Sequence, residues 1–152
     1  MNKQNKGLPA VRHGFTLIEI LVVIGIIAIL ATIVLIAINP ARQFRQARDT
    51  QRVSNTNAIL NAIGQYIADN KGTVPTEITT SVLKISDTVG QADLCDKLVP
   101  KYLPSMVFDP GATAVDCTAV AYDTLYSVVQ DTQGRVTVSA AGEETVSISV
   151  TR

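Results

Sequence analysis

The run from Phe15 to Ile38 limits the possible folds of this chain more than any other feature. It contains 20 apolar residues in 24, and the exceptions are Thr16, Glu19, Gly25 and Thr32. A helix of this length at 1.5 Å per residue is about 36 Å long, which is enough to cross a hydrocarbon core of about 30 Å. The sequence therefore predicts one membrane-spanning helix.

A secretory signal peptide is the main alternative, because a basic segment precedes the apolar run. The apolar region of a signal peptide is about 7 to 15 residues long and is followed by a small-residue cleavage site. This run is longer and ends in Ile38-Asn39-Pro40, so it is interpreted as an anchor. Basic residues flank both of its ends, and charge bias alone does not settle which end lies inside the cell.

The net charge of the 152-residue chain is zero, but the charge is unevenly distributed. Residues 1–14 carry +3, residues 15–72 carry +2 and residues 73–152 carry −5. Outside the apolar run, the composition is that of a small water-soluble domain. The chain is therefore predicted to combine a membrane segment and a basic stem with an acidic soluble head.

Glu19 is out of place in the apolar run. A carboxylate near the bilayer centre costs about 2.5 kcal/mol or more and normally has a partner. Glu19 either extends to the headgroups from near one end of the helix or pairs with a positive charge on another chain. The residues alone leave both interpretations open.

Residues 12–19 read RHGFTLIE and are followed directly by the apolar residues 20–24. This string resembles the processing site of the type IV pilin family, which includes the pseudopilins of type II secretion. The resemblance implies that prepilin peptidase cleaves between Gly14 and Phe15 on the cytoplasmic side and that Phe15 is N-methylated. It also implies that Glu19 acts in assembly by neutralising the N-terminal amine of a neighbouring subunit, since an α-amino group with a pKa of about 8 is cationic near neutral pH.

The resemblance further implies a domain organisation and an orientation. A leader of residues 1–14 is removed, residues 15–38 form the transmembrane and assembly half of a long helix, residues 39–71 form its amphipathic half, and residues 72–152 form the head. The head lies outside the cytoplasmic membrane. The implied fold is α+β, with one long N-terminal helix packed against a small antiparallel sheet.

The long helix is predicted to pass through Pro40, with a kink or a local opening because proline lacks an amide donor. Asn39-Pro40 is also compatible with a helix end. Continuation is favoured because apolar residues recur every three or four positions as far as about Asp69, where Asn70-Lys71-Gly72 supplies a stop. This stripe consists of Val53, Thr56, Leu60, Ile63 and Ile67, with Ile59, Ala62 and Tyr66 beside it.

Arg42, Arg45, Arg48 and Arg52 are spaced to lie on one side of this helix, just beyond the membrane segment. Three partners compete for this basic face. Anionic lipid headgroups are favoured, since each juxtamembrane arginine gains about 1 kcal/mol near such a surface. The acidic head of a neighbouring subunit comes second, and DNA comes third, because four arginines alone are a weak nucleic-acid signal.

The head shows strand patterns near its C-terminal end. Strands are predicted over residues 125–130, 135–140 and 145–150, with residues 131–134 as a hairpin turn. Val136, Val138 and Ala140 alternate along the second strand, as do Val146, Ile148 and Val150 along the third. A short helix is predicted near residues 92–99. A sheet of about three strands would then cover the helix.

Cys95 and Cys117 are the two cysteines of the chain. Because the resemblance places the head outside the cytoplasm, a disulfide is favoured over free thiols, and it would stabilise the head by about 3 kcal/mol in the chain-entropy model. A metal site is disfavoured because the sole histidine, His13, lies in the leader.

Asp109, Asp116 and Asp123 form the main acidic cluster of the head sequence. The resemblance makes calcium a candidate ligand, because major pseudopilins bind it through head carboxylates. The spacing matches no EF-hand pattern. A solvated acidic surface is favoured, and no other cofactor is predicted.

Enzymatic activity is not expected, because no nucleophile has an identifiable activating partner and no phosphate-binding loop is present. The resemblance implies a structural subunit of a pilus-like filament, either a major pilin or the major pseudopilin of type II secretion. Its partners would be other copies of itself, prepilin peptidase, the inner-membrane assembly platform with its ATPase, and the lipid bilayer. A basic stem below an acidic head would suit stacking in a filament.

Two alternatives remain open. One is a minor pilin that binds DNA or a surface through its head or arginine face. The other is an unrelated single-pass membrane protein with a small extracellular domain.

Overall fold

The computed structural model describes residues 14–118 and 121–152. The predicted leader therefore lies outside the described residues except for Gly14. The chain divides into two compact units, and the second unit begins at Ala41.

The described part of the first unit is dominated by α1, Leu17–Ile38, a helix of 22 residues. None of its residues is buried, and it is apolar on all sides. A helix with this composition and this length suits a bilayer rather than water. By length and composition α1 is a candidate membrane span, in agreement with the prediction.

Asn39 interrupts the helix. Its φ of 48° lies in the left-handed region, which asparagine tolerates better than most residues. Helix α2, Pro40–Asp69, begins at the next residue. The sequence predicted that the helix continues through Pro40 with a kink or a local opening. The structure instead shows two helices, because proline disfavours the helical conformation of the preceding residue and is well suited to a first helical position.

Helix α2 ends where the sequence predicted. Lys71 and Gly72 adopt left-handed conformations with φ of 56° and 87°. The Gly72 N–H donates to the Ile67 carbonyl over 2.8 Å. This bond satisfies one of the last helical carbonyls.

The head contains a four-stranded antiparallel sheet in the order β1-β2-β3-β4. Its strands are β1, Leu83–Ser86; β2, Asp123–Gln130; β3, Val136–Ala141; and β4, Ser147–Thr151, and a short helix α3, Cys95–Leu98, precedes β2. The three C-terminal strands and the short helix were predicted. Strand β1 was not, because four residues between serine and threonine clusters are too short to show a period.

The core lies between α2 and the sheet. Ile59, Leu60 and Ile63 of α2 are buried against Tyr126 of β2 and Val138 of β3. The predicted α2 stripe is confirmed for these three residues and for Thr56, but Val53 is 44% exposed. The α2 positions that face the sheet one and four residues before Val53 are charged, and they form the cluster described below.

The β2–β3 hairpin confirms the predicted turn. Asp131 accepts the Gly134 N–H, and Gly134 has a φ of 85°, a conformation that glycine adopts without strain. The predicted alternation in β3 is also confirmed, since Val136, Val138 and Ala140 are buried. The prediction for β4 is wrong at Val146, which is 97% exposed and precedes the strand.

Candidate functional site

The junction between Gly14 and Phe15 lies in a non-helical, exposed segment directly before α1. Phe15 is 81% exposed. A Cβ atom added to Gly14 would have no described atom within 4 Å, and Gly14 has no positive φ. The described part of the chain therefore does not itself require glycine at this position.

Thr16 and Glu19 form a capping box at the start of α1. The Glu19 N–H donates to Thr16 Oγ1 over 3.2 Å, and the Thr16 N–H donates to Glu19 Oε2 over 3.4 Å. Two amides that lack helical partners are thereby satisfied. The sequence contains the signal for this box, a threonine followed three residues later by glutamate, but it was not recognised because Glu19 was considered only as a charge.

A second cluster of polar side chains lies inside the head, centred on Arg52 of α2. Arg52 is only 5% exposed. Its Nε donates to Asp109 Oδ2 over 2.5 Å, and its Nη2 donates to Asp109 Oδ1 over 2.9 Å. Its Nη1 donates to Asp49 Oδ1 over 2.7 Å, and Nη2 also reaches Glu143 Oε1 at 2.9 Å. A buried arginine is thus shared by three carboxylates, which satisfies its fork of donors.

Asp49 is also held by the loop that joins β3 to β4. Its carboxylate accepts backbone N–H groups from Glu143, Glu144 and Thr145, at 2.9, 2.9 and 3.1 Å. Three successive amides therefore surround one carboxylate, as in a backbone anion nest. The loop is consequently tied to α2 at the level of the arginines.

The remaining arginines of the predicted basic face also have carboxylate partners in the same chain. Arg48 forms a bidentate pair with Glu143. Arg45 contacts Glu144 at 2.6 Å, and Arg42 lies 3.4 Å from the same carboxylate.

This pairing changes the interpretation of the basic face. Arg52 lies in the interior and does not face lipid, a neighbour or DNA, and the other three arginines face glutamates of their own head. The sequence could not show this because Glu143 and Glu144 are about 95 residues away. The predicted polarity of a basic stem below an acidic head is therefore largely neutralised within each chain.

The cluster holds its carboxylates in the charged form. Hydrogen bonds from the Glu143 and Glu144 amides lower the pKa of Asp49 well below its ordinary value. The hydrogen bond from Arg48 is the main cause that lowers the pKa of Glu143 from 4.5 to about 2. Burial alone would raise the pKa of Asp109, but hydrogen bonds from Arg52 and from the Gly111 amide outweigh it, so this pKa is lowered too.

These lowered pKa values predict an acid-sensitive head. Because the folded carboxylates release protons more readily than the unfolded ones, their stabilisation is present above the unfolded pKa and is lost as the pH falls through the folded pKa. We expect the free energy of unfolding to be nearly constant above about pH 5 and to fall steadily toward pH 2. The measurement is urea unfolding of the full chain in detergent, followed by near-UV circular dichroism of the four tyrosines, all of which lie between residues 66 and 126. A profile that stays flat down to pH 2 would contradict this assignment, and Glu143→Gln should reduce the slope.

Cys95 and Cys117 form a disulfide with a Cα–Cα distance of 5.5 Å. This is the pairing that the sequence favoured. It connects α3 to the loop that precedes β2 and leaves no free cysteine in the described residues. The disulfide thus fixes a loop-rich part of the head that has little regular structure of its own.

The three aspartates of the predicted acidic surface have separate roles. Asp109 is buried with Arg52, Asp116 accepts from the Thr118 N–H and hydroxyl, and Asp123 pairs with Lys84 at 3.2 Å. The prediction of a shared solvated surface is therefore wrong for Asp109, which the Arg52 charge draws inward. Within residues 14–118 and 121–152, no group of three or more histidine, cysteine or acidic residues is arranged to hold a metal ion.

Comparison with known proteins assigns the N-terminal segment. Residues 10–35 match the family described as the prokaryotic N-terminal methylation motif. Neither the curated proteins nor the solved structures show a match to this chain. The match covers the Gly14–Phe15 junction, the Thr16–Glu19 capping box and most of α1, and it does not extend into the head.

Proposed function

Because the chain carries the prepilin methylation motif of type IV pilins and pseudopilins, we propose that it is the major structural subunit of a pilus or of a type II secretion pseudopilus. The coarse statement, a pilin-like or pseudopilin subunit, follows from the motif. The observation that carries the finer proposal is the arrangement of residues 14–38: an exposed Gly14–Phe15 junction, Glu19 one helical turn later, and a fully exposed apolar helix. The head, an α+β unit with a small antiparallel sheet, agrees with this assignment.

Processing would occur at the exposed junction. Prepilin peptidase would cleave after Gly14 on the cytoplasmic side and methylate Phe15. The extended conformation of residues 14–16 supports this proposal, since a protease needs a segment outside regular helix. The leader would remain inside, and the head would lie outside the cytoplasmic membrane.

Glu19 would then serve two purposes in turn. Before assembly, its carboxylate caps α1 through the Thr16 amide. During assembly, it would pair with the methylated amine of Phe15 on a neighbouring subunit. Each charge alone is expensive in lipid, whereas the hydrogen-bonded pair is much less so. The assembly platform and its ATPase would extract the subunit from the bilayer into a homopolymer.

DNA binding is not favoured as a second function. The arginines that would contact phosphates are engaged by Glu143, Glu144, Asp49 and Asp109 of the same chain. An unrelated single-pass protein is not favoured either, because the methylation motif matches across the junction and the helix together.

Mass spectrometry of the mature protein tests the proposal. We expect the purified chain to begin at Phe15 and to carry one additional methyl group on its N-terminal amine. A chain that retains Met1 in cells with an active prepilin peptidase would contradict the proposed function. Electron microscopy for long surface fibres would then distinguish a pilus from a secretion pseudopilus.

Replacing Glu19 tests its role in assembly. We expect Glu19→Ala to insert and to be cleaved at Gly14, yet to form few or no filaments, because the neighbouring amine has lost its partner. The measurement is the ratio of sheared filament to processed membrane subunit on immunoblots.

Two matched variants separate the charge of Glu19 from its capping role. Glu19→Gln keeps an acceptor suited to the capping box but removes the charge, so it should assemble as poorly as Glu19→Ala. Thr16→Ala removes the capping hydroxyl but keeps the charge, so it should assemble better than either. Normal filament yield from Glu19→Gln would exclude the ion pair.

A further inference from the structure

The two edges of the head sheet are treated differently. The outer edge of β1 is covered: the Lys84 carbonyl accepts the Ala92 N–H over 2.9 Å, the Ser86 N–H donates to the Ala92 carbonyl over 3.2 Å, and the Gln91 side chain accepts the Lys84 N–H over 2.7 Å. A register irregularity between Lys84 and Ser86 distorts this edge further. These are usual protections against edge-to-edge pairing.

The opposite edge, formed by β4, lacks such protection. Arg152 and Val136 exchange both backbone hydrogen bonds, at 2.8 and 3.0 Å. Hydrogen-bonded and non-hydrogen-bonded pairs alternate in an antiparallel ladder. Val150 and Ile148 therefore bond to β3, whereas the N–H and carbonyl groups of the three alternate residues Ser147, Ser149 and Thr151 point away from the sheet. Within the described residues, no backbone group is paired with these outward groups.

The side chains of this edge are also compatible with another strand. Ser147, Ser149 and Thr151 are exposed and uncharged, while Ile148 is buried beneath them. No proline or lysine lies between residues 147 and 151. An open groove of about 590 Å³ runs between this edge and α2, whose Thr50 and Val53 line the far wall. The groove provides space beside the free edge.

The charges at the ends of β4 indicate which strand would fit. Arg152 follows the strand, and Glu144 lies shortly before it. In antiparallel pairing centred on Ser149, Arg152 of one copy lies opposite Val146 and diagonal to Glu144 of the other, within reach of a long side chain. Parallel pairing would instead place like charges side by side. The alternation of serine or threonine with isoleucine or valine is also its own complement in the antiparallel arrangement.

We propose that β4 is a dimerisation edge, through which two copies of this chain pair antiparallel by the outward backbone groups of Ser147, Ser149 and Thr151. The two sheets then form one eight-stranded sheet across a two-fold axis. Subunits of a polar filament are related by heterologous contacts and all point the same way. The two-fold pair therefore belongs to subunits held in the membrane before polymerisation, and it separates when they enter a filament.

Cysteine cross-linking in membranes tests the pairing. Antiparallel pairing centred on Ser149 brings the two Ser149 Cα atoms to about 5.5 Å, which is suitable for a disulfide. The full chain with Ser149→Cys is expressed without assembly machinery, so the result does not depend on filament formation. Val89→Cys, at a 99% exposed head position, measures cross-linking by collision. After mild oxidation, we expect at least about tenfold more disulfide-linked dimer from Ser149→Cys, which corresponds to about 1.4 kcal/mol.

Two further variants identify the contact. Co-expressed Ser147→Cys and Thr151→Cys chains should cross-link to each other more than Ser147→Cys cross-links to itself, because antiparallel register joins these two positions. Adding Ser149→Pro to both chains should abolish this cross-link. The Ser149 N–H does not bond to β3, so proline leaves the β3–β4 ladder intact, and retention of the Cys95–Cys117 disulfide would show that the head still folds. Equal cross-linking of Ser149→Cys and Val89→Cys would overturn the proposal, as would a cross-link that persists with Ser149→Pro.

Discussion

Arg52→Met is expected to destabilise the head by about 3 kcal/mol, because removal of one partner from a buried ion cluster leaves uncompensated charges inside the protein. Arg52 is the common donor to Asp49, Asp109 and Glu143. Methionine fills most of the volume of the side chain, so the loss reflects charge and hydrogen bonding rather than a cavity. Asp109 would be affected most, since the Arg52 fork holds both of its carboxylate oxygens.

The measurement is urea unfolding of the full chain in detergent at pH 7, with the tyrosine near-UV signal as the readout. Arg45→Met is the matched control, because Arg45 is a partly exposed α2 arginine that pairs with Glu144. Exposed pairs contribute at most about 1 kcal/mol. Equal effects of the two substitutions would show that Arg52 has no special role. The stability of Arg52→Met should also fall less steeply in acid, since protonation of Asp109 then relieves a buried charge.

Gly142→Ala is expected to destabilise the head by at least about 3 kcal/mol, the upper part of the range for overpacking. A Cβ atom at this position would lie 1.9 Å from the Thr145 carbonyl oxygen and 2.9 Å from the Thr145 carbonyl carbon. Both neighbours are backbone atoms, so the loop itself has to move. That movement would withdraw the three amides that hold Asp49 and leave a buried carboxylate incompletely bonded.

The same substitution at Gly64 provides a control of opposite sign. Gly64 lies on the exposed side of α2, and an added Cβ atom would have no described atom within 4 Å. Alanine is favoured over glycine in a helix interior by about 1 kcal/mol, so Gly64→Ala should stabilise the head. Both variants are measured by the same unfolding experiment. Gly142→Ala with wild-type stability would show that the β3–β4 loop has another accessible conformation.

Local sequence patterns predicted the elements whose stability depends on near neighbours in the chain. The apolar run predicted α1, the three-and-four spacing of Ile59 and Ile63 predicted the buried face of α2, and Gly72 predicted its end. The β2–β3 hairpin was predicted because its turn and its alternating strands lie within 20 residues. Strand β1 was missed, since its pairing with β2 is set by residues about 40 positions away.

The sequence pattern was misleading where a side chain has a distant partner. The arginine spacing on α2 correctly indicated one side of a helix, but it did not indicate which way that side faces. Arg52 turns inward because Asp109 and the β3–β4 loop supply carboxylates, and burial without them would be prohibitive. Val53, an apolar residue, is left partly exposed beside it.

The sequence by itself determined the prepilin motif, the membrane-spanning helix and the local α and β elements, because each depends on residues within a few turns of one another. Only the tertiary structure decided that Glu143 and Glu144 neutralise the α2 arginines, that Arg52 is buried, and that β4 is an open edge. These features depend on groups about 50 to 95 residues apart, or on which strand lies last in the sheet. Spacing along the chain carries no information about either, since both arise only when the head closes on α2.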